Sequence, residues 1–166
     1  MTKLVLISGV SRSGKSTLAK MLSKDLSNSL IIHQDEYVLP KHLSPKIKDQ
    51  IDWERPETID WLRLKKTIEE AISAYDFIII EGIFTLSDSG ILSAADFSIC
   101  LHIEKSTFLE RRKKETRWGN EPDWFLEHVW TSHLQFSNPH KVRPDVSLED
   151  FTTSKYPFIL NQIRLL

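Results

Sequence analysis

The chain has 166 residues, about the length of one domain, and its 22 basic and 23 acidic side chains give a formal net charge of −1. This balance argues against a broad nucleic-acid or membrane-surface interface, and no apolar run reaches the ~18 residues that a membrane span requires. One cysteine, Cys100, excludes an internal disulfide and favours a reducing, cytoplasmic setting, while a count of only 5 glycines excludes glycine-rich architectures.

Short apolar runs alternate with helical patterns from the N-terminus onward. The runs that predict strands cover residues 3–8, 29–33, 76–80 and 97–103, with a weaker one at 145–148. The patterns that predict helices cover residues 15–25, 59–74, 105–118, a stretch that begins at Pro122, and 155–166 with an early interruption at Pro157. Because strands alternate with helices, we expect an α/β fold in three layers, with helices on both faces of a five-stranded parallel sheet.

Two details concern the middle of the chain. In the helix predicted at 59–74, the apolar stripe that faces the core is assigned to Ile59, Leu62, Ile68 and Ile72. Residues 37–56 contain three prolines and are too long for an ordinary connection, so we expect a functional loop or a short helix there.

A phosphate-binding loop is predicted between the first strand and the first helix. Residues 9–16 match G-x-x-x-x-G-K-[ST] at every fixed position. In such a loop, backbone N–H groups and a helix N-terminus surround phosphate oxygens, Lys15 reaches the β- and γ-phosphates, and Ser16 ligates Mg²⁺. The residues that we assign to ATP binding are Gly9, Ser11, Arg12, Ser13, Gly14, Lys15, Ser16, Thr17 and Arg112.

Two acidic residues follow predicted strands. Ligands of open α/β sheets bind beyond the carboxyl ends of the strands, so Asp35 and Glu81 are expected near the phosphates. Asp35 is the candidate general base, with a helix cap or loop carboxylate as the alternative. Glu81 is the candidate Mg²⁺ ligand, with a solvated strand-end acid as the alternative.

The segment 52–56, Asp-Trp-Glu-Arg-Pro, combines acids with an aromatic ring. Glu54 could hydrogen-bond sugar hydroxyls while Trp53 stacks on a ring. The same pattern also fits a surface loop that Trp53 holds in place, and the residues alone leave both readings open.

The run of basic residues from Arg111 to Arg117 is the densest positive segment of the chain. It is either a solvated helix face or a mobile lid over ATP, for which we assign residues 111–124. Lys114 and Arg117 are one turn apart and would share a face. Further along, His128 is more typical of a structural hydrogen-bonding residue than of a catalyst.

Together these motifs resemble the uridine kinase and nicotinamide riboside kinase group of P-loop nucleoside kinases, over residues 3–148. The resemblance depends on residues 9–17, Gln34-Asp35, Trp53-Glu54 with Pro56, Glu81-Gly82, the basic run that ends at Arg117, and Phe125-x-x-His128-Val129-Trp130. It implies that Asp35 is the base toward a ribose 5′-hydroxyl and that Ser16 and Glu81 hold Mg²⁺.

The resemblance also assigns acceptor residues. Glu54 falls where the group has an Asp that binds ribose hydroxyls, and Lys114 and Arg117 fall on two lid arginines, one for the acceptor and one for the phosphates. Glu54 is longer than that Asp, and Lys114 lacks the bidentate hydrogen bonding of Arg. Two base-contacting aromatics of nicotinamide-specific members fall on Val38 and Gly119, so Tyr37, Trp53 or Trp118 are the candidates to replace them.

The sequence therefore predicts a single-domain kinase that transfers the γ-phosphoryl group of ATP, with Mg²⁺, to a hydroxyl of a nucleoside, and has no nucleic-acid or membrane partner. Catalysis is assigned to Asp35, Lys15 and Arg117. Acceptor binding is assigned to Asp35, Tyr37, Trp53, Glu54, Lys114 and His128. The alternatives are a kinase for a sugar or vitamin precursor, and a non-catalytic nucleotide-binding module.

Overall fold

The computed structural model describes residues 1–116 and 119–166. Its strands, in chain order, are β1 (Lys3–Gly9), β2 (Ser29–His33), β3 (Lys46–Ile47), β4 (Gln50–Ile51), β5 (Phe77–Gly82), β6 (Phe97–His102) and β7 (Val146–Glu149). Its α-helices are α1 (Lys15–Asp25), α2 (Trp61–Ala71), α3 (Ser89–Ala94), α4 (Lys105–Lys113), α5 (Asp123–Phe136) and α6 (Tyr156–Arg164). No helix within these two ranges is both long enough and apolar enough to cross a membrane.

A parallel sheet of five strands forms the centre of the fold, in the order β2-β5-β1-β6-β7. This confirms the predicted α/β class and the predicted number of parallel strands. The central strand β1 lies between β5 and β6, so the loop that follows it opens between the two halves of the sheet. That position is where ligands of open α/β sheets bind.

Helices cover both faces of the sheet, which explains why the strand sequences are apolar runs rather than alternating patterns. On one face, Val5 and Ile7 of β1 pack in a buried cluster with residues of α1 and α6. On the other face, Leu4 and Leu6 pack in a cluster with residues of α2 and α3.

A third buried cluster lies beyond the carboxyl ends of the strands. Phe108 of α4 packs there with Phe125 and Val129 of α5 and with Val10, which belongs to the loop after β1. The phosphate-binding loop is thereby fixed against α4 and α5 on the side of the sheet where the basic run begins.

Helix α2 corrects the predicted apolar stripe. Its buried residues are Leu64, Ile68 and Ala71, whereas Leu62 is 82% exposed and Ile72 is 52% exposed. The helix begins at Trp61, because the side chain of Asp60 caps it by accepting a hydrogen bond from the Arg63 N–H. The buried set has the spacing i, i+4, i+7, which is one face of an α-helix.

Two further expectations differ from the structure, and one helix was not expected at all. The basic helix ends at Lys113 rather than near residue 118, because Glu115 leaves the helical path and pairs with Arg12 at 2.9 Å. Pro157 does not interrupt the last helix, since it lies in the first turn, where its missing N–H costs nothing. Helix α3 was not predicted.

Between β2 and α2 the chain makes an excursion, residues 39–58, that contains the β3–β4 hairpin and a short 3₁₀ turn at Pro56–Thr58. Its two ends are bonded to each other. The Leu39 N–H donates to the Thr58 carbonyl at 2.8 Å, and just outside it the Asp60 N–H donates to the Tyr37 carbonyl at 2.7 Å. The excursion therefore leaves and rejoins the fold at one point beside the sheet.

Candidate active site

The loop after β1 has the backbone conformation that its glycines permit. Gly14 caps α1 with a φ of 100°, a left-handed value that favours glycine. Gly9 has a φ of 154°, and a Cβ atom there would lie 2.5 Å from the Leu101 carbonyl oxygen. The first N–H groups of a helix have no intrahelical acceptor, so the start of α1 supplies donors for an anion at this loop.

Lys15 lies buried across the loop, and its Nζ donates to the Val10 carbonyl at 3.0 Å. Burial lowers the pKa of Lys15, and the nearby carboxylates of Glu81 and Asp35 oppose this change. Lys15, Asp35 and Glu81 come from three separate segments of the sequence. The fold brings them close enough for the two carboxylates to influence the pKa of Lys15.

Glu81 ends the apolar part of β5 and accepts two hydrogen bonds on Oε1. Ser16 Oγ donates at 2.9 Å, and His33 Nδ1 lies 2.7 Å away. A hydroxyl and a carboxylate oxygen are the hard ligands that Mg²⁺ prefers, so this pair fits that ion. Sequence reasoning assigned no role to His33, although its position at the end of β2 was a signal.

Asp35 lies exposed on a 3₁₀ turn, Gln34–Glu36, that follows β2. The turn is anchored by Gln34, which is buried and accepts a hydrogen bond from the Phe84 N–H at 2.8 Å. A Cβ on Gly82 would lie 2.4 Å from Gln34 Oε1, so only glycine leaves room for this anchor. Asp35 is thus positioned at the rim of the cleft by its buried neighbour.

The excursion contributes Trp53 and Glu54 to the cleft. Asp52 Oδ1 lies 2.7 Å from His128 Nε2 and accepts a hydrogen bond from the Glu54 N–H at 3.2 Å. This contact holds the end of the hairpin against α5. Burial raises the pKa of Glu54 to about 7, and Asp52 adds to the rise while Arg112 opposes it. Trp53 remains 40% exposed beside them.

Arg112 is buried and forms a two-pronged ion pair with Glu121. Its Nε and Nη2 atoms donate to the two carboxylate oxygens at 2.6 and 2.9 Å, and its Nη1 donates to Ser11 Oγ at 2.6 Å. Nearby, Arg111 donates to the carbonyl of Arg12 at 3.1 Å. Glu121 was missed by sequence reasoning, since nothing in its local pattern distinguishes it.

Most of these groups line one cleft of about 1030 Å³, although His33, Asp52 and His128 are not on its wall. The predicted site residues on its wall are Ser11, Arg12, Gly14, Lys15, Ser16, Thr17, Asp35, Trp53, Glu54, Glu81 and Arg112. Gly9 and Ser13 support the loop, and the hydroxyl of Ser13 is buried with no hydrogen-bond partner within the described part of the chain.

Three residues that we assigned to acceptor binding lie away from the cleft wall. The ring of Tyr37 packs against the Arg63 guanidinium at 4.8 Å. Lys114 is exposed and pairs with Glu110, one helical turn before it. His128 lies behind Asp52 and acts as its hydrogen-bonding partner. Arg117, assigned to catalysis, and Trp118 lie outside the described residues.

The known proteins to which the chain is similar are kinases. The chain is 30% identical to the uridine kinase of Ureaplasma parvum serovar 3, over 87% of this chain and 86% of that protein. It is 28% identical to nicotinamide riboside kinase 1 of Homo sapiens, over 81% of this chain and 76% of that protein. A solved sugar kinase from Janibacter sp. HTCC2649 superposes with a TM-score of 0.67 at 18% identity, covering 99% of this chain and 93% of that one, a likeness of fold alone. No protein-family profile matches the chain.

Proposed function

The chain belongs to the uridine kinase family and is a phosphotransferase, and on this premise we propose that it transfers the γ-phosphoryl group of ATP to a hydroxyl of a nucleoside. The observation that carries the proposal is that Lys15, Asp35 and Glu81, from three separate elements, line one cleft. Phosphoryl transfer needs little covalent chemistry from a protein, because positioning and charge stabilisation supply most of the catalysis.

In this proposal the loop after β1 binds the phosphates of ATP. The N–H groups at the start of α1 donate to phosphate oxygens, and Lys15 exchanges the Val10 carbonyl for a phosphate oxygen. The Lys15 ammonium then stabilises the negative charge that develops during transfer. The burial that lowers its pKa also strengthens its attraction for an incoming phosphate.

Ser16 and Glu81 would hold Mg²⁺, because their oxygens are 2.9 Å apart at the mouth of the loop. When bound, the ion neutralises charge on the phosphates. His33 contacts the same carboxylate oxygen of Glu81, which helps to fix the orientation of that group.

Asp35 is proposed to accept the proton of the acceptor hydroxyl. It is exposed on the cleft wall that Lys15 also lines, and its charge opposes the lowering of the Lys15 pKa by burial, which supports its placement near the donor site. A general base must reach the proton that it removes, and a carboxylate at this rim meets a hydroxyl that points toward the γ-phosphate.

The acceptor is proposed to bind between Trp53 and Glu54. The exposed indole of Trp53 offers a flat apolar surface to a ring, and Glu54 offers a carboxyl group to sugar hydroxyls on the same wall. We keep the proposals that residues 1–166 form one kinase domain, that residues 111–124 form its lid and that Arg117 stabilises transferred charge.

A screen for ADP release tests this function. Purified protein with ATP and Mg²⁺ is offered uridine, cytidine, nicotinamide riboside and simple sugars, and we expect a nucleoside to stimulate ADP formation most. Stimulation by a sugar alone would replace the nucleoside with a different acceptor, and no stimulation by any compound would contradict the proposed reaction.

The Asp35→Ala variant tests the base. We expect turnover to fall by about a thousandfold while ATP affinity is retained, because a positioned base contributes ~10²–10⁴-fold. The matched control is Glu36→Ala, an exposed acid on the same turn that does not line the cleft. Near-normal turnover of Asp35→Ala would remove Asp35 from the mechanism.

A further inference from the structure

The ion pair between Arg112 and Glu121 joins two segments at the edge of the cleft. Arg112 lies near the end of α4 and is 7% exposed, and Glu121 lies just before α5 with its side chain 14% exposed. Both carboxylate oxygens accept from the guanidinium, at 2.6 and 2.9 Å. Bidentate geometry of this kind fixes the plane of a guanidinium as well as its position.

The fixed guanidinium faces the phosphate-binding loop. Its Nη1 atom donates to the hydroxyl of Ser11 at 2.6 Å, and Arg112, Ser11 and Glu121 all line the same cleft. Arg112 also gives the strongest of the nearby charges that oppose the raised pKa of Glu54. One cation therefore lies between the donor side and the acceptor side of the cleft.

We propose that Glu121 is a positioning residue that holds Arg112 in the orientation needed to bind the phosphates of a nucleoside triphosphate at the phosphate-binding loop. The inference rests on the proposed function insofar as that loop binds the nucleotide. Glu121 acts by engaging Nε and Nη2, so the edge of the guanidinium that carries Nη1 is directed at the loop. It makes no contact with the reacting groups itself.

The competing explanation is that the pair only fastens α4 to the start of α5. A fastening role predicts lower stability and leaves nucleotide affinity unchanged once the protein is folded. A positioning role predicts that a change at Glu121 lowers nucleotide affinity, and that it does so only when Arg112 is present. A double-mutant cycle separates the two explanations.

Calorimetric titration with ADP, in the absence of any acceptor, provides the measurement. We expect Glu121→Gln to weaken ADP binding by about tenfold, because the bidentate contact that orients the guanidinium is lost. In the background of Arg112→Gln, the same change at Glu121 should alter ADP affinity by less than about twofold. Glu127→Gln is the matched control, since Glu127 of α5 forms an exposed ion pair with Lys105 of α4, and it should leave affinity unchanged.

Equal effects of Glu121→Gln with and without Arg112, or unchanged affinity in the single variant, would overturn the inference. If Glu121→Gln does not fold, Glu121→Asp keeps the charge with a shorter reach, and we expect an intermediate loss of affinity of about threefold; unchanged ADP affinity of that variant overturns the inference as well. Because ADP binding needs no acceptor, a failed acceptor screen would contradict the proposed reaction without deciding the role of Glu121.

Discussion

Glu54 places a carboxyl group in a buried position of the cleft, and the Glu54→Gln variant tests what that burial costs. The pKa of Glu54 rises from an ordinary value of 4.5 to about 7, first because of desolvation and then because of the neighbouring Asp52. Each pKa unit corresponds to about 1.4 kcal/mol, so the charged form destabilises the folded state by about 3 kcal/mol above pH 7.

The sign of the pH dependence follows from proton binding. Between about pH 4.5 and pH 7 the folded protein holds a proton at Glu54 that the unfolded chain has released. The contribution of Glu54 to stability is therefore complete below pH 4.5 and is lost as the pH rises through 7. Glutamine does not titrate, so the stability of Glu54→Gln relative to the natural chain should increase by about 3 kcal/mol across this window.

Urea unfolding of the free protein, followed by tryptophan fluorescence from about pH 5 to pH 8, measures this difference. Titrating groups that do not interact with Glu54 make the same contribution in both proteins and cancel. The matched control is Glu57→Gln, because the hydrogen bond from Arg55 lowers the pKa of Glu57 and its difference should stay constant over this range. A constant difference for Glu54→Gln, within about 1 kcal/mol, would refute the reasoning.

Three other predictions follow from single contacts. Phe108→Ala removes a fully buried ring and should lower the free energy of unfolding by about 3–5 kcal/mol in urea titrations, and a loss below about 1 kcal/mol would contradict the packing described. Gly9→Ala would bring a Cβ to 2.5 Å from the Leu101 carbonyl oxygen, so we expect calorimetry to detect no ADP binding, and unchanged affinity would contradict the loop geometry. His128→Ala breaks the 2.7 Å contact with Asp52, so we expect steady-state kinetics to give an acceptor KM about tenfold higher while the ATP affinity is unchanged. Equal changes in acceptor KM and ATP affinity would contradict a role of His128 that is confined to the acceptor.

Most of the sheet could be predicted because its strands are buried on both faces and so appear as apolar runs. The bounds of α1 and β2 agree with those predicted, since glycine and turn residues limit both elements sharply. In α2 the predicted stripe contained Leu62, whereas packing in one cluster with residues of β1 and β5 buries Leu64 and leaves Leu62 exposed. The six residues of α3 are too few for a helical period to be visible.

The candidate site was predictable where residue type and strand position coincide. Asp35 follows β2 and Glu81 lies at the end of the neighbouring strand β5, so their shared cleft follows from the topology. The pair of Glu121 with Arg112 and the contact of His128 with Asp52 were not predicted, because each joins two separate segments of the chain that no common motif relates. The ion pair of Lys114 with Glu110 is a local contact at the i, i+4 spacing, which the sequence analysis did not use when it assigned Lys114 to the acceptor.

The excursion at residues 39–58 begins and ends in hydrogen bonds between Leu39 and Thr58, with Tyr37 and Asp60 bonded just outside. A segment closed in this way imposes the same entry and exit on the surrounding fold whatever its length or composition. We therefore expect that substitution of the residues inside the excursion leaves the spacing between β2 and α2 unchanged. The same substitutions should leave the conformation of the phosphate-binding loop unchanged. Under the proposed function the excursion supplies the residues that contact the acceptor, so we expect exchange of its interior to change the acceptor while the conformation of the loop after β1 is kept.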